Sequence, residues 1–330
     1  VLTEYLSWRW CLYVNLAFAG IAVFGAMSLM TNSRPQEKAH LDIPGTLTGS
    51  AGLFSLVYGF SHAAETSWSN GTTIGFLIAG VVLLAGFVAI QQRAAHPLLP
   101  LRVVLDRDRG GSYLAVALSG IAIFGVFLFL TYYLQQNLGF SPIKTGLAFL
   151  PMTVAIMISA TTSQTKLLPR FGPRVLIGSG LVLGMIGMLY LTGIAPDSDY
   201  WTHVFPGLLI MGVGFGLIFA PAISSATLGV DPHDAGVASA LVNVGQQIGG
   251  SIGTALLSTL AASATSSLLE SKGGRPSADL IGQAAVHGYT TAFYWSAAIF
   301  AVAAVVCTAL LRPGVPKLEQ VPGTAPAMAH

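Results

Sequence analysis

Long apolar runs separated by short polar segments repeat along all 330 residues. A bilayer core about 30 Å thick takes about 20 helical residues at 1.5 Å each. Runs of that length fall at 8–30, 44–63, 72–91, 111–134, 145–164, 174–194, 203–228, 236–262 and 288–311. The pattern predicts nine crossings and an all-α, polytopic transmembrane helix bundle. Composition agrees: 53% of residues are hydrophobic and 8% are charged, against about 25% charged in a soluble domain. A water-facing surface is not built from so few charges, so lipid is the expected solvent, as a mean hydropathy of +0.71 requires.

The few charges sort by side. Alternating the spans puts Arg34, Lys38, Arg93, Arg102, Arg107, Arg109, Lys166, Arg170, Arg174, Arg312 and Lys317 together, with Arg9, Lys144, Lys272 and Arg275 opposite. The basic side is expected to be cytoplasmic, which predicts a multi-pass protein of the cell (plasma) membrane with its C-terminus inside and Val1 outside. Val1 is not an initiator Met, and no basic leader or cleavage pattern precedes the first span. The chain is therefore expected to be a fragment.

Net charge is +2, and no basic block alternates with aromatics, so no nucleic-acid partner is expected. Cys11 and Cys307 lie in separate apolar runs and read as small core residues, while His40, His62, His96, His203, His233, His287 and His330 are scattered singly. No metal or other cofactor is expected. Carboxylates avoid the spans, so a proton or cation relay is expected outside this stretch of chain. Asn70-Gly71-Thr72 matches a glycosylation sequon but, being common by chance, is assigned no role.

Helices in lipid pack through small residues. Gly245, Gly249 and Gly253 recur every four residues on one face of the eighth span, and Ser239, Asn243, Gln247, Gly250, Thr254 and Ser258 form a polar stripe on another. The stripe serves either inter-helix hydrogen bonding or the lining of a hydrated path. Gly180, Gly184, Gly187, Gly212, Gly214 and Gly216 read as packing and flexing points, and Pro151, Pro206 and Pro221 as bends. At the outer end of the fourth span, Phe129, Tyr132 and Gln136 share a face, with Gln135 beside it. They form either an interfacial aromatic belt or a site for an amphipathic ligand, which Phe149 and Met152 on the next span complete.

Four segments carry a family resemblance. Leu2 to Leu16 (LTEYLSWRWCLYVNL) resembles the entry to the sixth helix of major facilitator drug:proton antiporters of the fourteen-helix QacA/EmrB type. Gln92 to Arg109, containing His96-Pro97-Leu98-Leu99-Pro100-Leu101, is similar to the loop after that type's two additional helices. Tyr133 to Pro142, followed by Gly146 to Pro151, resembles the start of its C-terminal half, and Ala235 to Asn243 with Gly249-Gly250 its thirteenth helix. The resemblance implies a major facilitator fold that lacks the first five helices and their glycine/proline antiporter motif. It divides the chain into the last helix of the N-terminal half (1–30), two linking helices with loops (31–109), a six-helix C-terminal half (110–312) and a cytoplasmic tail (313–330).

The family's cytoplasmic loop motif pairs an acid with arginines. Here it reads Leu168-Pro169-Arg170-Phe171-Gly172-Pro173-Arg174, so Arg170, Gly172 and Arg174 are expected to set topology at the gate position. The implied activity is efflux of hydrophobic or cationic small molecules of the multidrug type, driven by a proton gradient, with small molecules, protons and the bilayer as partners. A nutrient or ion importer on the same scaffold is the alternative. An intramembrane enzyme is remote, because no reactive constellation lies within a span. Substrate-path candidates are Phe129, Tyr132, Gln135, Gln136, Phe149, Met152, Asn243 and Gln247. Oligomeric state is not legible from these residues.

Overall fold

The computed structural model describes residues 5–7, 9–29, 42–231, 234–273 and 277–314. Arg34, Lys38, Arg275 and Lys317, used above for orientation, lie outside the described residues, as do His40, His233, most of Leu2 to Trp8 and the tail from 315.

The described residues form helices and no strand: α1 (Arg9–Leu29), α2 (Ile43–Glu65), α3 (Gly71–Arg93), the short α4 (Leu101–Leu105), α5 (Arg107–Tyr132), α6 (Pro142–Thr162), α7 (Leu168–Leu191), α8 (Phe205–Thr227), α9 (Ala235–Lys272) and α10 (Ala278–Leu310). Among the described residues, seven continuous helical stretches are long and apolar enough to cross a membrane. The stretch 142–191 is really two, because Gly172 inside it adopts φ 74° and ψ 169°. An L side chain resists that conformation, so a glycine followed by Pro173 is what lets α6 turn back into α7. Helix α2 has the length to span but carries more Gly, Ser and Thr than its neighbours.

Helix starts follow local chemistry. Asp42 Oδ1 accepts from Gly45 N–H at 2.8 Å, Asn70 Oδ1 from Thr72 N–H at 2.8 Å, and Ser277 Oγ from Leu280 N–H at 3.2 Å. Each satisfies a backbone donor that the first turn leaves open. The sequon asparagine is thus a helix cap.

Two spans run longer than their apolar content. The hydrophobic pattern stops at 262 and resumes at 288, yet α9 continues to Lys272 and α10 begins at Ala278. The intervening Ser and Thr, with Glu270, Lys272 and Asp279, make these extensions too polar to cross lipid, while their Ala and Leu favour helix. A Cβ at Gly288 would lie 2.7 Å from the Ala261 carbonyl oxygen, so the two helices run side by side there and extend each other.

Helix α8 packs between α6 and α7, α9 lies along α5, and α10 fills the angle between α5, α7 and α9. Phe215, Phe293, Phe300, Leu130 and Leu134 are fully buried in this bundle, with the rings of Phe215 and Phe300 6.1 Å apart. The α2–α3 hairpin leans on α9. Large apolar side chains such as Met27, Val82, Ile158 and Val305 point outward, which is the surface that hydrocarbon covers.

Candidate transport path

The two faces of α9 are used differently. A Cβ at Gly249 would fall onto the Ala117 carbonyl oxygen of α5, and one at Gly253 would lie 2.6 Å from Ile121 Cα and O. At Gly245 the nearest atom is the Tyr113 carbonyl oxygen at 3.6 Å, so contact there is ordinary. Gly120 of α5 reciprocates, its Cβ position 2.9 Å from Gln246 O. Backbones this close gain dispersion contacts that larger residues would exclude.

The polar stripe turns elsewhere. Gln247, Gly250, Ser251, Thr254 and Ser258 line a cavity of about 300 Å³, closed by Phe124 of α5 and by Val57, Ser61 and Ala64 of α2. Thr254 Oγ1 donates to Gly250 O at 2.8 Å, Ser251 Oγ to Gln247 O at 2.9 Å, and Asn243 Nδ2 to Ser239 O at 3.1 Å. These bonds stay within α9, so they do not stitch it to a neighbour. The oxygens keep lone pairs for water or a ligand. Asn243 and Gln247 are exposed.

At the far end the aromatic and amide candidates separate. Phe129 is buried with its ring 5.9 Å from that of Tyr289 on α10, and Tyr289 Oη donates to Gln136 Oε1 at 3.4 Å. Phe149 instead meets Phe127 at 4.9 Å. Residues 127 and 129 project about 200° apart on a helix, so Phe149 lies across α5 from Phe129. Met152 is fully buried and Tyr132 exposed, while Gln135 and Gln136 sit exposed on a π turn (Tyr133–Asn137) that widens the end of α5. The structure therefore does not gather the six into one pocket.

The opposite end collects the arginines. Arg102 of α4 holds Asp234, at the start of α9, through Nη2 at 2.7 Å and Nε at 3.2 Å, and the Asp234 side chain is 4% exposed. Arg109 Nη2 donates to Gly229 O at 2.9 Å and Arg107 Nη2 to Ala309 O at 3.0 Å, while Arg312 N–H reaches Asp108 Oδ1 at 2.7 Å. One short segment thus ties the ends of α8, α9 and α10. The sequence lists these arginines as orientation signals, and pairing across more than a hundred residues has no local signature.

A second tie holds the loop after α3. Gln91, almost fully buried, donates to Asp42 Oδ2 at 2.6 Å and accepts from Leu99 N–H at 2.9 Å. The Gly45 N–H, then the Gln91 amide, hold the Asp42 carboxyl below its usual range. Arg170 and Arg174 form no ion pair among the described residues.

Residues 1–254 match the model of the Major Facilitator Superfamily. The chain belongs to that superfamily. Relatives include the puromycin resistance protein pur8 of Streptomyces alboniger, 43% identical over 313 residues, covering 94% of this chain and 62% of that protein. The cephamycin export protein CmcT of Amycolatopsis lactamdurans is 34% identical over 269 residues, 81% of this chain and 55% of that protein. The tetracenomycin C resistance and export protein of Streptomyces glaucescens is 28% identical over 265 residues, 80% of this chain and 49% of that protein. The chain thus spans between about half and 62% of the length of these relatives. It is a multi-pass, all-helical member of a transporter superfamily whose relatives here are named for antibiotic resistance and export.

Proposed function

We propose that the transporter to which this chain belongs exports hydrophobic or cationic small molecules in exchange for protons, by alternating access between two six-helix halves. In this reading α5 to α10 form one half, α2 to α4 the linking segment and α1 the last helix of the other half of a fourteen-helix plan. The basic end faces the cytoplasm. Asn243 and Gln247 of α9 border the path, and Gly249 and Gly253 keep α9 close to α5. The relatives' names support export, and in this reading proton coupling belongs to groups other than the described carboxylates, none of which sits at mid-helix.

The observation that carries the reading is the polar face of α9 opening onto a cavity, with its hydrogen bonds directed back into its own helix. With those donors spent within α9, the oxygens keep lone pairs on the cavity side that water or a passing solute can use. The test is dye accumulation in intact cells expressing the full-length transporter. Accumulation of a lipophilic cationic dye falls, a protonophore abolishes the difference, and Asn243→Ala or Gln247→Ala changes the preference among dyes severalfold with normal membrane insertion. Unchanged accumulation across several dyes rejects efflux, and raised accumulation of a nutrient or ion favours import.

A further inference from the structure

At the end of the bundle opposite the arginines, a hollow of about 540 Å³ opens between the turn after α5, the start of α6 and the loop entering α8. Its polar groups are of both signs. Lys144, in the first turn of α6, holds Nζ 3.7 Å over the centroid of Phe140 and has no carboxylate partner among the described residues. Asp199 spends one carboxylate oxygen on the N–H groups of Trp201 and Thr202, at 2.9 and 3.2 Å. Asp197 is exposed and makes no hydrogen bond or ion pair among the described residues. The aromatic wall is set, because Tyr200 is buried with Oη donating to Ala148 O at 2.7 Å, and its ring meets Trp201 edge-on at 5.2 Å.

The hollow does not end there. It shares Leu147 and Pro151 with an apolar groove of about 750 Å³ that runs down between α6 and α8 past Val154, Ile158 and Val213 to Thr162. From 147 to 162 is about 22 Å along a helix, longer than the roughly 15 Å that one leaflet's hydrocarbon occupies. A charged, aromatic head site joined to a chain-length apolar groove is the shape of a phospholipid.

We propose that this hollow and groove hold a phospholipid with a primary-amine headgroup, of the phosphatidylethanolamine type. Lys144 meets the phosphate, Asp197 accepts from the ammonium over the Trp201 face, and one acyl chain lies between α6 and α8. An anionic glycerol headgroup satisfies Lys144 but leaves Asp197 without a cation. A choline headgroup has no N–H to donate to the carboxylate, whereas a primary ammonium has three. Ammonium over an aromatic face adds a cation–π attraction.

Native mass spectrometry of the full-length protein, exchanged against equal phosphatidylethanolamine, phosphatidylglycerol and phosphatidylcholine, tests this. Wild type retains the ethanolamine lipid about fivefold over either competitor, and Lys144→Glu or Asp197→Lys each lowers that preference about fivefold. Val154→Trp, at an exposed position in the groove, reduces retention of all three lipids. Equal retention in wild type, preference for the glycerol lipid, or a preference that survives both headgroup variants overturns the proposal. So does Lys144→Glu changing dye selectivity while the retained lipid stays the same, which assigns the hollow to substrate. If Val154→Trp fails to assemble, the two exposed headgroup positions still decide.

Discussion

Helices α1 and α9 both carry glycines in an apolar run, and the structure treats them oppositely. No residue of α1 is buried, and Gly20 and Gly25 have nothing within 4 Å of where a Cβ would sit. On α9, Gly249 and Gly253 leave no room for a Cβ against the backbone of α5. Helix α1 is the more hydrophobic of the two, so hydropathy does not distinguish a packed helix from an unpacked one. Insertion into lipid depends on transfer of side chains, whereas association depends on how closely backbones approach. The α2–α3 hairpin lies between these extremes: its buried residues are Gly, Ser, Ala, Thr and Gln91, with no large apolar side chain among them.

The sharpest way to break this contrast is a matched pair of substitutions. Gly249→Leu is expected to cost at least about 3 kcal/mol through overpacking against Ala117, read as a lowered thermal unfolding midpoint in detergent and loss of transport. Gly20→Leu is expected to stay within about 0.5 kcal/mol. Equal damage from both would show that α1 is tightly packed in the working protein.

A smaller effect separates the anchored end of α9 from its free stripe. Arg102→Ala leaves the buried Asp234 carboxylate without its guanidinium, but Arg102 is 72% exposed and water screens the pair. The expected loss is about 1 kcal/mol, largely regained when Asp234→Asn is added. If the double variant is no more stable than the single one, the pair is not what holds the start of α9.

The smallest effect concerns the hairpin's tie. The Asp42 carboxyl titrates below its usual value of about 3.9, held down first by Gly45 N–H and then by Gln91. A depressed carboxylate stabilises above its unfolded pKa and loses that contribution as pH falls through its folded pKa. Hydrogen exchange at the Leu99 amide, corrected for intrinsic rate, is therefore expected to keep its protection from pH 5 to 8 and to lose it below about pH 4. A change in protection near neutrality would point to another titrating group.

Much of the bundle was legible because the period and length of apolar runs respond directly to bilayer thickness. The turn between α6 and α7 was legible as the gap between the runs 145–164 and 174–194, and the glycine face of α9 as Gly245, Gly249 and Gly253, whereas Gly172 was read for topology and not as the break. The polar stripe was legible as a stripe, since Asn243, Gln247, Thr254 and Ser258 recur at helical spacing, but not what it faces. Phe124 and Ser61, which close the cavity beside it, have no signal of their own and meet α9 only through the packing of α2 and α5. Likewise Phe129 and Phe149 look like partners in the sequence, yet two positions along α5 send their neighbours to opposite sides.

The sequence by itself determined that this chain lives in lipid, where its apolar runs lie, and which family it resembles, because these follow from helical period and transfer of side chains from water. Only the tertiary structure decided that Arg102 closes on Asp234, that Gln91 ties Asp42 to Leu99, and that Lys144 and Asp197 border one hollow. Those pairings join residues far apart in the chain, and their energies exist only once the backbone has brought them within a few ångströms.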